Sequence, residues 1–528
     1  MSQAGRLDAA VCWCDVATLF WPEVNQAGNQ FMKRKRVIAL STCAVGVILG
    51  GCATVQPRMD YARVAERVTE ATGVSNVYRP DEDEQSLALV NERLADDLSV
   101  DDAVTIALLN NPTLQASFFR VGMARADAVQ AGLLSNPSLG VSLRLPAGGG
   151  LSNVEANLAQ NIAELWQIPL RKQAAERSIN AAILNVARQA AVLATDTKRA
   201  YFAAVQAKEL HDVVQENLNV ATRLSQLAIE RRDAGASTQI EVNLARTAVI
   251  EAELQAETTQ LAADNALREL ATLLGLSNRA SELQLADALP DVPDKPLSED
   301  ALMRMAKASR LDVAAARQLV NAAEARLRTE HRKVFKSVKL GVSLEREARK
   351  SQGSRDVLTD TARASVANGG LTAPEIQPRS ERDTDTGFVI GPSLSLELPI
   401  FDQNQAQIAN ARFAYQQAKK SLDALERRLV QQVHGALDRV ETNWRLVRMY
   451  RDRSLPLAEE NLELSQEAYR LGRASFLSVL EAQRFLLSSR RDYVTALGQA
   501  ARTLPEMEQV VGLPLADFVA ETNSGDGS

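Results

Sequence analysis

Cysteine is all but missing from this chain, and its few copies are confined to one end. Cys12, Cys14, Cys43 and Cys52 are the four cysteines among 528 residues. A disulfide framework after Cys52 is therefore excluded. Histidine is equally scarce, with His211, His331 and His434 alone, so a Cys/His metal site has too few ligands; neither a metal centre nor a cofactor is expected. Cys12-Trp13-Cys14 looks like one half of such a site but has no second half. Aromatic residues make up only 4%, while alanine and leucine dominate, which favours a mostly helical fold. The net charge of −6 leaves no basic excess for nucleic acid. No apolar run of about 18 residues or more follows residue 52, so no membrane-spanning helix is expected there. There is no nucleophile–base–acid arrangement and no phosphate loop, so no catalytic residues and no enzyme are expected.

What the chain does have is helix. Leu170 to Asp233 contains neither proline nor glycine and is rich in Ala, Leu, Glu, Gln and Arg, the strong helix formers. Roughly 64 residues at ~1.5 Å each predict a rod of about 96 Å. Ala234-Gly235-Ala236-Ser237-Thr238 can stop it, since glycine fits a left-handed C′ position and Ser or Thr caps a following helix. The chain then returns to Leu274, so 170–274 reads as one helical hairpin turning at Gly235. Ala263, Ala266, Leu270 and Leu273 keep a 3-4-3 spacing, a coiled-coil seam.

Upstream, Met32 opens a leader. Lys33-Arg34-Lys35-Arg36 is charged, Val37 to Leu49 is apolar but too short to span, and Leu49-Gly50-Gly51-Cys52 closes it. This resembles a bacterial lipoprotein signal, cut before a cysteine that is then acylated; the plainer alternative is an ordinary signal peptide with an incidental cysteine. Cys52 is the expected lipid anchor. Translation is expected to start at Met32, with residues 1–31 a mis-assigned extension. Ala53 stands where an inner-membrane retention signal would have aspartate, which implies outer-membrane sorting. Several acyl chains hold firmly where one holds marginally. Ala53 to Asp97 is polar, with Pro57, Pro80 and the acidic run Asp81-Glu82-Asp83-Glu84; a tether with one short helix near Tyr61 to Ala71 is expected.

From Leu98 a pattern appears twice. Leu98-Ser99-Val100-Asp101-Asp102-Ala103 and Leu297-Ser298-Glu299-Asp300-Ala301-Leu302 each place a Ser N-cap before acids in a first helical turn. Each opens a helix of about 33 residues, to Leu134 and Val334. Pro290, Pro293 and Pro296 mark the linker between the halves. Alternating strands follow, Ser138 to Leu145 and Val338 to Glu345, each with a partner, Glu155 to Ile168 and Phe388 to Leu398. Gln160 and Glu164 break the apolar phase of the second strand. Alternation over about ten residues between Gly-, Ser- and Asp-rich loops fits a membrane β-barrel, although each strand alone also fits a soluble sheet. Pro169 and Pro399 read as strand-to-helix turns. The second long helix runs to Leu471 with a turn at Gly472, and Leu457, Asn461, Leu464, Ala468 and Leu471 form its seam. The return helix runs from about Ser475 to Val511. The tips align without gaps, Gly235 to Val242 against Gly472 to Val479.

Opening and return helices together nearly match one long helix, so they could stack end to end beside it. The fold class is then mainly α with a small membrane β-barrel portion, four strands per chain and a two-fold internal repeat. Four strands cannot close a barrel, and an open edge is not tolerated in lipid. Two copies give a filled eight-strand barrel, three a twelve-strand pore, and the trimer is favoured. The division is 1–51 extension and signal, 52–97 tether, 98–289 first repeat, 290–297 linker, 298–514 second repeat and 515–528 tail.

The doubled pattern, the Pro turns and the glycine tips together resemble the TolC-like outer-membrane efflux family over about residues 60–515. The leader and Asp60-Tyr61-Ala62-Arg63-Val64 are closer to its CusC/CzcC branch, associated with metal efflux. The resemblance implies a homotrimeric 12-strand, 12-column channel in the outer membrane that extends into the periplasm. Its implied partners are outer-membrane lipids, a periplasmic adaptor and an inner-membrane pump of the RND type. It also implies tip residues. Tyr469, three before Gly472, and Glu241, six after Gly235, match a gate pair. Ser478 and Glu481 match two pore-entrance acids, one of which is lost here. The family's gate arginine is Ala474, with Arg473 one position earlier. Glu241 and Glu481 read equally as solvated helix-surface acids. Arg346 to Thr386, polar and glycine-rich, is expected to be an extracellular loop, and Glu521 to Ser528 a disordered tail. The function read from all this is a passive exit duct of a tripartite efflux system for small molecules or metal ions. Two alternatives stay open: the outer-membrane component of a type I protein secretion system, and a lipid-anchored coiled-coil protein without a pore.

Overall fold

The computed structural model describes residues 53–145, 152–293, 298–335, 337–348, 357–372 and 386–514. The expected anchor Cys52, the leader and extension 1–51, linker residues 294–297 and the tail 515–528 lie outside the described residues. In chain order come α1 (Arg58–Thr72), α2 (Asp83–Arg93), α3 (Val100–Asn110), α4 (Pro112–Gly132), β1 (Ser138–Arg144), β2 (Asn153–Asn161), α5 (Glu164–Asp233), α6 (Gln239–Leu273), α7 (Glu299–Ser309), α8 (Leu311–Arg332), β3 (Val338–Ala348), α9 (Val357–Ala367), β4 (Thr386–Leu396), α10 (Gln405–Met449), α11 (Leu455–Arg470) and α12 (Phe476–Val511). Among the described residues no helix is long and apolar enough to cross a membrane.

The tether carries two helices, not one. Its acidic run leads into α2, where Asp83 and Glu84 suit the positive end of the helix dipole. Asp60 of α1 is buried and takes two short bonds from Arg125 of α4, at 2.6 and 2.7 Å, which fastens the tether to the body.

Each expected opening helix is broken in two. Pro112 forces Asn111 out of the helical region, to φ −70 and ψ 118, and the Asn111 side chain then caps α4 by accepting from Thr113 N and Leu114 N. In the second half Arg310 adopts nearly the same conformation, φ −60 and ψ 113, with no proline to cause it. Each break receives the end of a return helix. Asn111 Nδ2 donates to Leu273 O at 2.9 Å, Asn110 Nδ2 to Leu274 O at 2.9 Å, and Arg310 Nη1 to Val510 O at 3.2 Å. These bonds satisfy carbonyls that a helix end leaves unpaired. The short helices thus meet end to end, as their lengths led one to expect.

The long helix α5 has 70 residues and starts at Glu164, six residues earlier than expected. The second strand is correspondingly shorter than expected. It stops at Asn161, whose side chain accepts from Ala163 N at 3.1 Å and turns the chain. Pro169 is therefore not a turn residue. It lies inside α5, in the second turn, and denies the Leu165 carbonyl its helical donor. Pro399 lies in the non-helical stretch between β4 and α10. The second long helix is not continuous either. A π turn, Tyr450–Ser454, separates α10 from α11, because Pro456 has no N–H for the carbonyl four residues back. The stretch expected as loop 346–386 contains the end of β3 and the helix α9.

The four strands form one antiparallel sheet in the order β1-β2-β3-β4. The register lines up Leu139, Leu158 and Val342, and likewise Val141, Ala156, Leu344 and Ile390, on one face. Most of these apolar side chains are exposed. The opposite face carries Arg144, Glu155, Asn157, Lys339 and Glu345. At Gly341 a Cβ would stand 2.5 Å from Leu158 O and 2.7 Å from Ser393 Oγ, so only glycine fits there.

The helices pack in two rows that share α5. One row runs α4, α5, α8, α10; the other runs α6, α5, α12, α11. The largest core lies where the rows meet, around Tyr201, Leu270, Leu302, Val433, Trp444 and Met507. Tyr201 is fully buried; its hydroxyl donates to Leu98 O at 2.7 Å and accepts from Asp287 N at 3.1 Å. Burial pushes its pKa up to about 12. Ala263 and Leu270 of the first seam are buried as expected. The second seam is not: Leu457, Leu464 and Leu471 point away from the chain's own helices and stay exposed.

Candidate functional site at the hairpin tips

The two hairpins turn alike. Gly235 and Gly472 have φ of 77 and 71, a conformation that disfavours a Cβ, although a Cβ at either would meet nothing within 4 Å. Ala236 N donates to Arg231 O at 2.7 Å, and Arg473 N to Ala468 O at 2.8 Å, so both helices end in the same glycine-terminated turn. Three residues after each glycine comes an N-cap. Thr238 Oγ1 accepts from Glu241 N and Ser475 Oγ accepts from Ser478 N, both at 3.3 Å. The gap-free alignment of the tips therefore corresponds to matching geometry, position by position.

Side chains separate the two tips. The Glu241 carboxylate accepts the Ser237 hydroxyl at 2.5 Å. Ser478, at the equivalent position, pairs its hydroxyl with Ser475 at 3.0 Å and serves its own cap. Glu481 and Arg473 are exposed and make no ion pair among the described residues. Tyr469 is only 5% exposed, in a cluster with Ala228, Val242, Ala245, Phe476, Val479 and Leu480 that joins the first hairpin to the second. Its phenol pKa is raised by burial; nearby Arg231 pulls it down and Glu241 adds to the rise. Glu241 and Ser237 thus lie within electrostatic and hydrogen-bonding reach of the Tyr469 hydroxyl, although neither of them meets it at full hydrogen-bond geometry.

One residue that engages Tyr469 from the other hairpin was not legible from the pattern. Arg231, in the last turn of α5, stacks its guanidinium 4.4 Å from the ring centroid and donates weakly to Tyr469 O at 3.4 Å. Above the tip, further links cross between the hairpins: Gln483 Nε2 to Asn217 Oδ1 at 3.0 Å, Arg484 to Glu251 at 2.8 Å and Arg490 to Glu216 at 3.0 Å. Such exposed ion pairs contribute about 0–1 kcal/mol each, so the tip is held by many weak contacts. Among the described residues no three His, Cys, Asp or Glu are grouped to hold a metal ion.

The chain resembles known proteins along most of its length. The family pattern described as outer membrane efflux protein matches residues 103–276 and 302–513. The chain is 23% identical over 346 residues to the cobalt-zinc-cadmium resistance protein CzcC of Cupriavidus metallidurans, covering 65% of this chain and 73% of that one. It is 26% identical over 415 residues to the pyoverdine export outer membrane protein OpmQ of Pseudomonas aeruginosa, covering 74% and 80% respectively. The solved CusC channel superposes with a TM-score of 0.59 at 19% identity, over 79% of this chain and 92% of that one, and shares the fold. This chain belongs to the outer membrane efflux protein family.

Proposed function

We propose that three copies of this chain close into a continuous duct and serve as the passive outer-membrane exit of a tripartite efflux system. One observation carries the proposal: every layer ends in an open border. Among the described residues the sheet leaves β1 and β4 without outer partners, one helix row ends in α4 and α10, and the other ends in α6 and α11. These borders carry exposed apolar side chains, among them Phe119 and Met123 on α4, Phe413 on α10, Ile240 and Leu254 on α6, and Leu464 on α11. An unpaired strand edge is costly in lipid, and copies of the same chain supply the missing neighbours. Charged residues on the sheet face opposite the apolar one favour a hydrated lumen, which twelve strands allow and eight fill.

The division into two repeats, 98–289 and 298–514, accounts for the doubled order of helices and strands. Cys52, acylated, would hold the N-terminal tether to the inner leaflet, with Asp60 and Arg125 securing its other end. The tips, with Gly235, Glu241, Tyr469, Gly472, Arg473, Ser478 and Glu481, would close the periplasmic end until a periplasmic adaptor and an RND-type pump engage it. The pump supplies the energy, and cargo passes without chemistry in the duct. The names of the relatives suggest cobalt, zinc and cadmium ions or pyoverdine as cargo classes. The test is the mass of the protein in detergent with β1–β4 cross-linking. Cysteines placed at Leu139 and Leu394 should link neighbouring chains into a three-chain product. Links confined to pairs of chains would overturn the trimer.

A further inference from the structure

We propose that the cavity where the return helix α12 ends is a binding site for a small organic acid, with Arg188 taking its carboxylate and Thr195 meeting a hydroxyl at its other end. The site lies within one chain, so it goes beyond the duct and does not depend on it.

Five stretches of chain enclose a cavity of about 190 Å³: the end of the tether helix α1, the middle of α5, the break between α7 and α8, Gln432 of α10 and the end of α12. Part of the wall is apolar, from Ala71, Ala191, Val192, Leu311, Val510 and Pro514. An apolar cavity of about 150 Å³ holds benzene, so this one has room for a ring with small polar groups.

The rest of the wall carries charge, and most of it is matched. Lys198 Nζ binds Glu508 at 2.7 Å, and Arg310 holds Asp312 through two bonds, at 2.8 and 2.6 Å. Burial alone would raise the Asp312 pKa, but these bonds, with the Arg188 charge nearby, hold it below the usual carboxylate range. Arg188 is the cation left over. It is felt by Asp312 as a charge, yet it shares no hydrogen bond with Asp312 or with any other described residue. Thr195 is 5% exposed and lines the same cavity, and its hydroxyl likewise has no partner among the described residues.

Spacing along α5 sets the shape of the ligand. Arg188, Ala191, Val192 and Thr195 lie at i, i+3, i+4 and i+7, on one face of the helix. The two unpaired polar groups are therefore about 10 Å apart along the axis, with an apolar floor between them. A guanidinium fork matches a carboxylate with two parallel bonds. A ligand that uses the whole face has a carboxylate at one end, an apolar body and a hydroxyl at the other end.

The experiment is calorimetric titration of the full-length purified protein with 4-hydroxybenzoate, benzoate, benzyl alcohol and inorganic phosphate at neutral pH. One 4-hydroxybenzoate should bind per chain, more tightly than benzoate, with benzyl alcohol and phosphate each at least tenfold weaker than benzoate. Arg188→Gln should weaken both acids by about tenfold or more, the effect of losing a hydrogen bond between charged groups. Thr195→Val should abolish the advantage of 4-hydroxybenzoate over benzoate and leave benzoate unchanged. Benzyl alcohol or phosphate binding as well as benzoate would overturn the inference, as would an Arg188→Gln protein that binds like the parent or a Thr195→Val change that weakens both acids alike. Arg188→Lys, which keeps the charge but lacks the fork, provides the same test should the glutamine variant fail to assemble. Binding by a protein that does not conduct would support the site and count against the duct alone.

Discussion

Replacing Leu464 with lysine should take the assembly apart while leaving each chain folded. Leu457, Leu464 and Leu471 repeat every seven residues along α11 and its C-cap and are 54, 62 and 57% exposed in the single chain. More than half of each stays bare among the described residues, yet they form the seam of a coiled coil. Fully burying a leucine is worth about 1.5–3 kcal/mol, and with 62% of Leu464 still bare about 1–2 kcal/mol remains to be gained at each interface. Lysine forfeits that gain and adds the cost of drying an ammonium. Over the three interfaces of a closed ring the loss is ~3–6 kcal/mol, an association constant lower by roughly 100- to 10,000-fold. Sedimentation in detergent across a dilution series would follow it. Helical content should not change, because Leu464 contributes nothing to the chain's own core. Leu87→Lys on α2, where the leucine is also 58% exposed but lies off the open borders, is the control and should assemble normally. If L464K keeps a three-chain mass at the same dilution as the parent, the seam does not face a neighbour and the closure argument fails.

Two other outcomes follow from particular contacts. Tyr201→Phe leaves Asp287 N without its acceptor in a buried site, so it should cost about 1–2 kcal/mol, seen as a lower melting temperature. The parent's stability should also fall between about pH 10 and 12, because the folded phenol, raised to about 12, stays neutral where the unfolded one ionises; the fall should be shallower in Tyr201→Phe. Cys52→Ser should abolish palmitate labelling, and labelling that persists would place the anchor elsewhere.

Much of this fold is legible in the sequence because its signals are local. Gly235 and Gly472 end helices, Thr238 and Ser475 start the next ones, and the alternation of Leu139, Val141 and Leu143 fixes a strand face; each needs only neighbours along the chain. The misplacements have equally specific causes. Pro169 marks a boundary in most contexts, but Asn161 had already turned the chain, so the proline was absorbed into α5. Asn111-Pro112 does carry a cap-and-break signal, outweighed by the helical pattern around it, whereas Arg310 breaks its helix with no local signal at all. The seam at Leu457, Leu464 and Leu471 was legible as a seam, but not as one facing outward, because periodicity does not say what a face meets. Arg231 was missed for a further reason. Its partner Tyr469 lies 238 residues away, and no pattern in one segment reports a stack made by two.

The most direct test of the account is planar-bilayer conductance of the purified protein, with its mass in detergent taken on the same sample. Discrete openings from a three-chain species are the expected result, since open sheet and helix borders close only around a lumen. Single chains that insert without conducting would contradict the duct and leave a lipid-anchored helical protein in its place.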